Sequence, residues 1–332
     1  MHEESRSFLL DCYAKEWNPE FLEHRNFREG RSYLKWKKEG LDDKDPQVDG
    51  EELHISLRDY DDGEPLYGAK DVEEFCKDKT LQVISERFKE GAWIDDRSRA
   101  GEHREYQDPL TAYTLFQKLK ERRFVGEKPD TNERRLIFIK GLDPYYILAL
   151  VETAPWLQVQ VLRDAFQKYL ALETSLLVHI PLKWISVFHL ELHLPYFALR
   201  QSKKLASSHA RNKRRCIDLS FLTRRSKSGP SQHKIFKAQI SFVISGCEDS
   251  QWVVKSFIDN YFEEEELLDD VDGLPYNGFV EGPIAKGQLG QNERFVNPRE
   301  YFLMILKIRS EQILKEWERV VQSVRRNVKP YV

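Results

Sequence analysis

Three residues with chemically versatile side chains alternate along one apolar stretch of the chain: His189, Glu191 and His193. Residues two apart on a β-strand share a face, so the imidazoles and the carboxylate would point the same way. These groups are ligands of zinc and iron, and one hypothesis is a metal-dependent enzyme. However, His189 and His193 would stand about 13 Å apart on a strand, whereas metal–nitrogen bonds are about 2 Å long. We therefore favour a polar strand face in which Glu191 is hydrogen-bonded or paired with a basic side chain.

Other catalytic signatures are missing from the sequence. It contains no G-x-x-x-x-G-K-[ST] or G-x-G-x-x-G loop for phosphates, no H-E-x-x-H zinc motif and no G-x-S-x-G nucleophile turn. Spacing places neither a nucleophile nor an orienting acid beside any histidine. The sequence therefore predicts a protein without enzymatic activity and without a cofactor.

Positive charge is concentrated between residues 200 and 234, which contain eleven Lys or Arg residues and one acid, although the net charge of the 332-residue chain is only −3. One hypothesis is a nuclear-import signal or a nucleic-acid-binding patch. The other is a solvated loop between strands, which we favour because Phe221 is the only aromatic residue between Leu205 and His233 that could stack on a base. The basic residues of the candidate patch are Arg211, Lys213, Arg214, Arg215, Arg224 and Arg225.

Negative charge is concentrated in residues 259–272, which contain eight acids and no Lys or Arg. Blocks of opposite charge usually lie against each other or remain solvated. The stretch lacks the Asp-x-Asp-x-Asp-Gly order of a calcium loop, so we do not predict a metal there.

The compartment is indicated by several sequence features. The first residues show no signal peptide, no stretch is long and apolar enough for a transmembrane helix, and there is no Asn-x-Ser/Thr acceptor. The four cysteines are scattered and form no C-x-x-C pair. We expect a cytoplasmic protein, with the nucleus as the alternative. The cysteines are Cys12, Cys76, Cys216 and Cys247.

Hydrophobic periodicity predicts interleaved strands and helices without a strict βαβ rhythm, which is typical of an α/β or α+β fold with a layered mixed sheet flanked by helices. We divide the chain into a charged N-terminal region (1–105) and an α/β domain (106–332), and we predict a loop at 89–107. Predicted helices are Asp71–Lys77, Asp108–Arg123, a helix from Asp143 to near Pro155, Trp156–Leu172 and Ser250–Phe262. Predicted strands are Leu81–Phe88, Arg135–Lys140, Leu176–Ile180, Ile185–Leu194 and Lys234–Ser245.

The last predicted element is one long helix over 297–328. Asn297 is a good N-cap, Pro298 suits the first helical position and Glu300 completes a capping box. The first two turns are apolar nearly all round, which predicts that they are buried. Further on, apolar residues follow an approximate heptad spacing, typical of a helix that packs on a partner, in a coiled coil or on its own domain. The candidate interaction residues are Ile313, Trp317, Val320 and Val324.

Several stretches together resemble a family of uncharacterised proteins of filamentous fungi. They include Leu136-Ile137-Phe138-Ile139, Leu142-Asp143-Pro144-Tyr145-Tyr146, Asn297-Pro298-Arg299-Glu300-Tyr301 and Glu316-Trp317-Glu318. The resemblance covers roughly residues 105 to 325. Some relatives look like CorA-type magnesium channels, in which an α/β domain leads through a long helix into membrane spans. This sequence has no apolar span and no Gly-Met-Asn motif, so we do not carry transport over to it.

These observations together predict an intracellular, non-enzymatic domain that binds a protein partner or self-associates through its C-terminal helix. The alternative is a nuclear or nucleic-acid-associated protein that acts through residues 211–225. A metal-dependent enzyme at His189, Glu191 and His193 is the third hypothesis.

Overall fold

The computed structural model describes residues 69–81, 90–97, 103–104, 106, 109–121, 134–154, 156–180, 188–202, 216–218, 232–248, 251–259, 282–288 and 297–328. The helices are α1 (Ala69–Cys76), α2 (Ala112–Lys120), α3 (Pro144–Thr153), α4 (Trp156–Ala171) and α5 (Pro298–Val328), with a 3-10 turn at Pro283–Ala285. The strands are β1 (Ala92–Arg97), β2 (His103–Arg104), β3 (Arg134–Lys140), β4 (Ser175–His179), β5 (Phe188–Ser202), β6 (Cys216–Asp218), β7 (Gln232–Glu248) and β8 (Gln251–Ile258).

All eight strands belong to one mixed sheet. The order along the sheet is β2-β1-β3-β8-β7-β5-β4, with β6 paired to β7 beside this path. Among the strand pairs of the described residues, β3 and β8 run parallel and the others are antiparallel. β5 and β7 form the longest ladder, which extends from Phe188 opposite Gly246 to Ser202 opposite Gln232. This confirms the predicted α/β class with a mixed sheet flanked by helices.

Each face of the sheet is covered by a separate hydrophobic core. On β3, Ile137 and Ile139 pack with helices α1 to α4, whereas Phe138 between them packs on the opposite side with α5. The same division continues on β8, where Val253 joins the first core and Val254 the second. Because alternate residues of a strand point to opposite faces, a strand covered on both sides is apolar on both sides. The architecture is therefore helix–sheet–helix.

Local sequence signals account for the start of α3. The carboxylate of Asp143 accepts hydrogen bonds from the backbone N–H groups of Tyr145 and Tyr146, at 2.9 and 3.0 Å, and Pro144 occupies the first helical turn. Gly141 precedes them at φ +66°, a conformation that side chains disfavour. The predicted N-cap and helix are confirmed.

Two sequence predictions of secondary structure are wrong. Residues 250–262 were predicted as a helix, but Gln251–Ile258 is β8, a central strand between β3 and β7. Residues 89–107 were predicted as a loop, but Ala92–Arg97 is β1, whose Asp95 and Asp96 are buried. The sheet consequently crosses the predicted boundary between residues 105 and 106.

Other predicted elements differ in length or lie outside the described residues. α2 begins at Ala112 and is capped by the hydroxyl of Thr111, whereas the helix was predicted to begin at Asp108. β5 passes through Pro195 and continues to Ser202, well beyond the predicted end at Leu194. The predicted strand at 81–88 lies almost wholly outside the described residues.

The long helix predicted at 297–328 is confirmed as α5. The backbone N–H of Arg299 donates to Oδ1 of Asn297 at 2.8 Å, as expected for an N-cap. Tyr301, Phe302 and Ile305 are buried, but Leu303 is 61% exposed, so the prediction that both first turns are buried all round is wrong. No helix in the part of the chain that the structure describes is long and apolar enough to cross a membrane.

Candidate functional site

The first candidate site, the alternating face of β5, lies against helix α4. The carboxylate of Glu191 is 2% exposed and accepts hydrogen bonds from the ammonium group of Lys168 on α4 and, at 2.7 Å, from the hydroxyl of Ser175 on β4. Leu176 and Leu192 pair on the opposite face of the same ladder. Glu191 thus has the basic partner that we favoured for it, and it links three elements.

The two histidines of this face have different neighbours. His193 is fully buried, its Nδ1 lies 2.8 Å from the hydroxyl of Ser241 on β7, and its Nε2 lies 3.8 Å from Glu191 Oε2. His189 stacks on His179 of β4 with ring centroids 5.0 Å apart. Burial lowers the pKa of His189, and Glu191 partly opposes this effect. Among the described residues, no group of three His, Cys, Asp or Glu side chains is placed to hold a metal ion.

The electrostatics of this face favour an ionised Glu191. Burial raises the pKa of a carboxyl group, but His193 together with the hydrogen bonds from Lys168 and Ser175 outweighs burial and lowers the pKa of Glu191 to about 2. Glu191 and His193 are 2% and 0% exposed, so neither side chain is open to solvent in this structure. The arrangement binds helix α4 to the sheet rather than presenting reactive groups.

Asp259 extends this buried polar layer, although it was predicted as the first residue of the solvated acidic stretch. Its carboxylate accepts a hydrogen bond from the hydroxyl of Tyr169 on α4 and, at 3.0 Å, one from the backbone N–H of Gln239. Residues 260–272 lie outside the described residues. No local pattern distinguishes Asp259 from the acids that follow it, because its partners are 90 and 20 residues away.

Arg200, which was counted with the basic segment, is buried at the end of β5. Its guanidinium donates to both carboxylate oxygens of Glu316 on α5, at 2.7 and 3.0 Å. The candidate patch itself (Arg211, Lys213, Arg214, Arg215, Arg224 and Arg225) lies outside the described residues.

The second candidate site is the C-terminal half of α5, which carries four exposed large apolar residues. Leu314, Trp317, Val321 and Val324 are 59%, 41%, 53% and 41% exposed. They are three, four and three residues apart, so they form one line along the helix. We call these four residues the α5 stripe. Trp317 also contacts Phe197 of β5 edge to face, at 5.5 Å between ring centroids.

The α5 stripe differs from the predicted interaction residues at two positions. Trp317 and Val324 were predicted and are exposed, but Ile313 and Val320 are only half-exposed. Ile313 packs at the margin of the second core. Leu314 and Val321 replace them, although neither was among the predicted interaction residues. The sequence signal for Leu314 and Val321 was the spacing of three and four residues between the apolar side chains, which continues from Val324 to Val328.

Buried polar contacts determine which side of α5 faces the sheet. Arg309, 4% exposed, donates to the backbone carbonyls of Pro283 and Ile284 at 2.7 and 2.9 Å and to Gln312 at 2.6 Å. Glu316, one turn further on, binds Arg200. Residues 309, 312 and 316 share one side of the helix because they are three and four positions apart. The α5 stripe lies outside this buried side, with its four residues exposed.

Comparison of the chain with models of known protein families, with curated proteins and with solved structures found no match.

Proposed function

We propose that this protein is a non-enzymatic interaction domain that binds a partner helix along the α5 stripe. The observation that supports the proposal is the combination of four exposed large apolar side chains in one line with the buried contacts that Arg309 and Glu316 make from the same helix. Soluble proteins leave single apolar side chains exposed routinely, but a continuous line of them is typical of an interaction surface.

The spacing of the α5 stripe selects a helical partner. Apolar residues that alternate three and four positions apart form the seam through which two helices pack side by side. Complete burial of one such side chain contributes roughly 1.5–3 kcal/mol, so covering the α5 stripe supplies several kcal/mol towards binding. An extended strand or a flat sheet would contact only part of this narrow line.

The charges beside the α5 stripe select an acidic partner. From Leu314 to Arg326, the exposed charged residues are four basic ones and one acidic one, namely Lys315, Arg319, Arg325 and Arg326 against Glu318. A second copy of this helix would bring the same excess of positive charge to the interface. A partner helix with an apolar seam flanked by Asp or Glu avoids that repulsion and gains electrostatic attraction.

The experiment uses two synthetic helices as probes, both with leucine at the seam positions. One carries glutamate and the other lysine at the flanking positions. Fluorescence anisotropy with the full-length protein should show that the acidic helix binds at least about tenfold more tightly than the basic helix, because each favourable or unfavourable pair contributes a few tenths of a kcal/mol or more. Equal binding of the two helices would contradict the proposed partner.

A further inference from the structure

Strand β4 is the last strand of the described sheet and exposes Leu176 and Val178 on one face and Leu177 on the other. Within the described residues it pairs with β5 and with no other strand. Of the twelve large apolar residues that are exposed in the described part of the chain, four lie within five consecutive positions here. They are Leu176, Leu177, Val178 and Ile180, at 59%, 41%, 57% and 48% exposure.

This edge lacks the features that usually prevent strand addition. Proteins protect an edge strand with lysine, proline or a bulge that twists it away. Residues 175–179 contain no Lys and no Pro, and the ladder from Ser175 opposite His193 to His179 opposite His189 continues without a register shift. The outer backbone groups of such a strand can pair with another strand.

We propose that β4 pairs antiparallel with β4 of a second copy of this chain, around a two-fold axis at Leu177. This register places Leu177 opposite Leu177 of the second copy. Leu176 of each copy then lies opposite Val178 of the other copy, and Ser175 of each copy lies opposite His179 of the other. The two eight-stranded sheets become one continuous sheet.

Charge and side-chain chemistry favour a second copy as the occupant. A two-fold axis places identical surfaces together, so any charge near the axis meets its own like charge. The segment from Thr174 to Ile180 contains no Asp, Glu, Lys or Arg, so this repulsion does not arise. The added strand must also present apolar side chains opposite Leu176 and Val178 on one face and opposite Leu177 on the other, and in this register β4 itself does so.

The two sides of the new pair remain compatible with the rest of the fold. Leu176 and Val178 lie opposite Leu192 and Leu190 of β5, on the face that packs with α5. Because a two-fold axis perpendicular to the sheet keeps each residue on its own face, these side chains meet their counterparts on that same face. This pairing uses no residue of the α5 stripe and does not depend on the proposed function.

The test compares two double variants that carry charge at the same two exposed positions. Leu176→Lys with Val178→Lys places four positive charges together across the axis, whereas Leu176→Lys with Val178→Glu places each lysine opposite a glutamate of the second copy. We expect the wild type and the Lys/Glu variant to sediment with twice the mass of one chain, and the dissociation constant of the Lys/Lys variant to rise at least about tenfold. Equal masses for the two variants, or a monomeric wild type at high protein concentration, would overturn the proposal. The wild type would be monomeric if another segment of the same chain covered β4.

A cross-linking measurement keeps the proposal testable if the Lys/Lys variant does not fold. Leu177→Cys places two cysteines opposite each other at the axis, within the range that a disulfide spans, whereas Leu176→Cys places them on a diagonal about 7–8 Å or more apart. We expect oxidation to yield covalent dimers of the Leu177→Cys variant in excess of both the wild type and Leu176→Cys. Equal yields from the two cysteine variants would contradict the two-fold register. Leu314→Ser with Val321→Ser, which alters the α5 stripe, should leave the sedimenting mass unchanged, so failure of the proposed function can be distinguished from failure of β4 pairing.

Discussion

The guanidinium of Arg200 and the carboxylate of Glu316 form a two-pronged, buried ion pair that joins the end of β5 to the middle of α5. The two hydrogen bonds measure 2.7 and 3.0 Å, and the residues are 116 positions apart in sequence. Both are nearly inaccessible, at 4% and 6% exposure. The pair holds the Glu316 side of the helix against β5, and the α5 stripe remains exposed beside it.

Replacing one partner of this pair should lower the free energy of unfolding much more than replacing both. Glu316→Leu leaves the Arg200 guanidinium buried without its anion, which should lower the free energy of unfolding by about 3–5 kcal/mol. Arg200→Met combined with Glu316→Leu leaves no unpaired charge, and we expect it to be more stable than the single Glu316 variant. Urea titration of the wild type, both single variants and the double variant measures this.

Arg319 supplies a control for that cycle because it contacts the same carboxylate from an exposed position, at 3.2 Å. Arg319→Ala should change the free energy of unfolding by less than about 0.5 kcal/mol. Additive losses from the Arg200 and Glu316 single variants would contradict a coupled buried pair.

The ionised carboxylate of Glu191 should stabilise the folded protein at pH values above the ordinary pKa of a glutamate. This contribution should be lost in acid. The folded-state pKa of about 2 lies below the ordinary value of 4.5, so the contribution is complete above about pH 5 and is lost as the pH falls towards 2. At neutral pH the contribution is on the order of 3 kcal/mol. The difference in free energy of unfolding between the wild type and Glu191→Gln should shrink by that amount between pH 5 and about 2.

Lys168 is one cause of the depressed pKa, so Lys168→Met should raise the pKa of Glu191 and move the loss of stability to higher pH. A difference between wild type and Glu191→Gln that stays constant with pH would show that Glu191 is not held as an anion.

Cys76 should be unreactive in the folded protein. Burial, with a smaller effect from Asp143, raises the pKa of its thiol to about 12, and the thiolate is the reactive form. Pulse labelling with iodoacetamide at pH 8, followed by peptide mapping, should find Cys76 unmodified in native protein and modified in urea. Equal labelling of Cys76 under the two conditions would mean that its thiol is not buried in the first core.

Replacing Gly141 should lower the stability of the protein only through backbone strain. Its φ is +66° and a Cβ atom would meet nothing within 4 Å, so Gly141→Ala should lose about 1 kcal/mol through strain. Asn tolerates this conformation better, and Gly141→Asn should lose less. Thermal unfolding of both variants measures the difference, and a greater loss for Asn than for Ala would point to a steric cause instead.

Sequence patterns predicted those elements whose determinants are local. The N-caps Asp143 and Asn297 bind backbone N–H groups two or three residues away, so their function can be read from neighbouring positions. The strand around Ile240 was recognised because its residues alternate between apolar and small polar types.

The elements that were predicted wrongly are determined by distant contacts. β8 is covered on both faces, so its sequence Trp252-Val253-Val254 shows no strand alternation and its apolar spacing resembled that of an amphipathic helix. Asp96 in β1 is buried because Arg135, 39 residues away, donates to both of its carboxylate oxygens at 2.6 and 2.7 Å. Without knowledge of that partner, the adjacent acids Asp95 and Asp96 indicate an exposed loop.

The candidate interaction surface was predicted in part for the same reason. The helix and its apolar residues follow from periodicity, but the side that faces solvent depends on how Arg309 and Glu316 are held. Those contacts turn Ile313 towards the second core and leave Leu314 exposed.

The central claim is that the α5 stripe binds a partner helix, and a pair of variants one residue apart tests it most directly. Leu314→Ser with Val321→Ser alters the α5 stripe, and Lys315→Arg with Gln322→Ser alters the adjacent exposed positions while keeping the positive charge. Fluorescence anisotropy with the acidic leucine-seam helix should give a dissociation constant at least about tenfold higher for the first variant than for the second, since two buried apolar side chains are lost. Equal dissociation constants for the two variants would contradict the account.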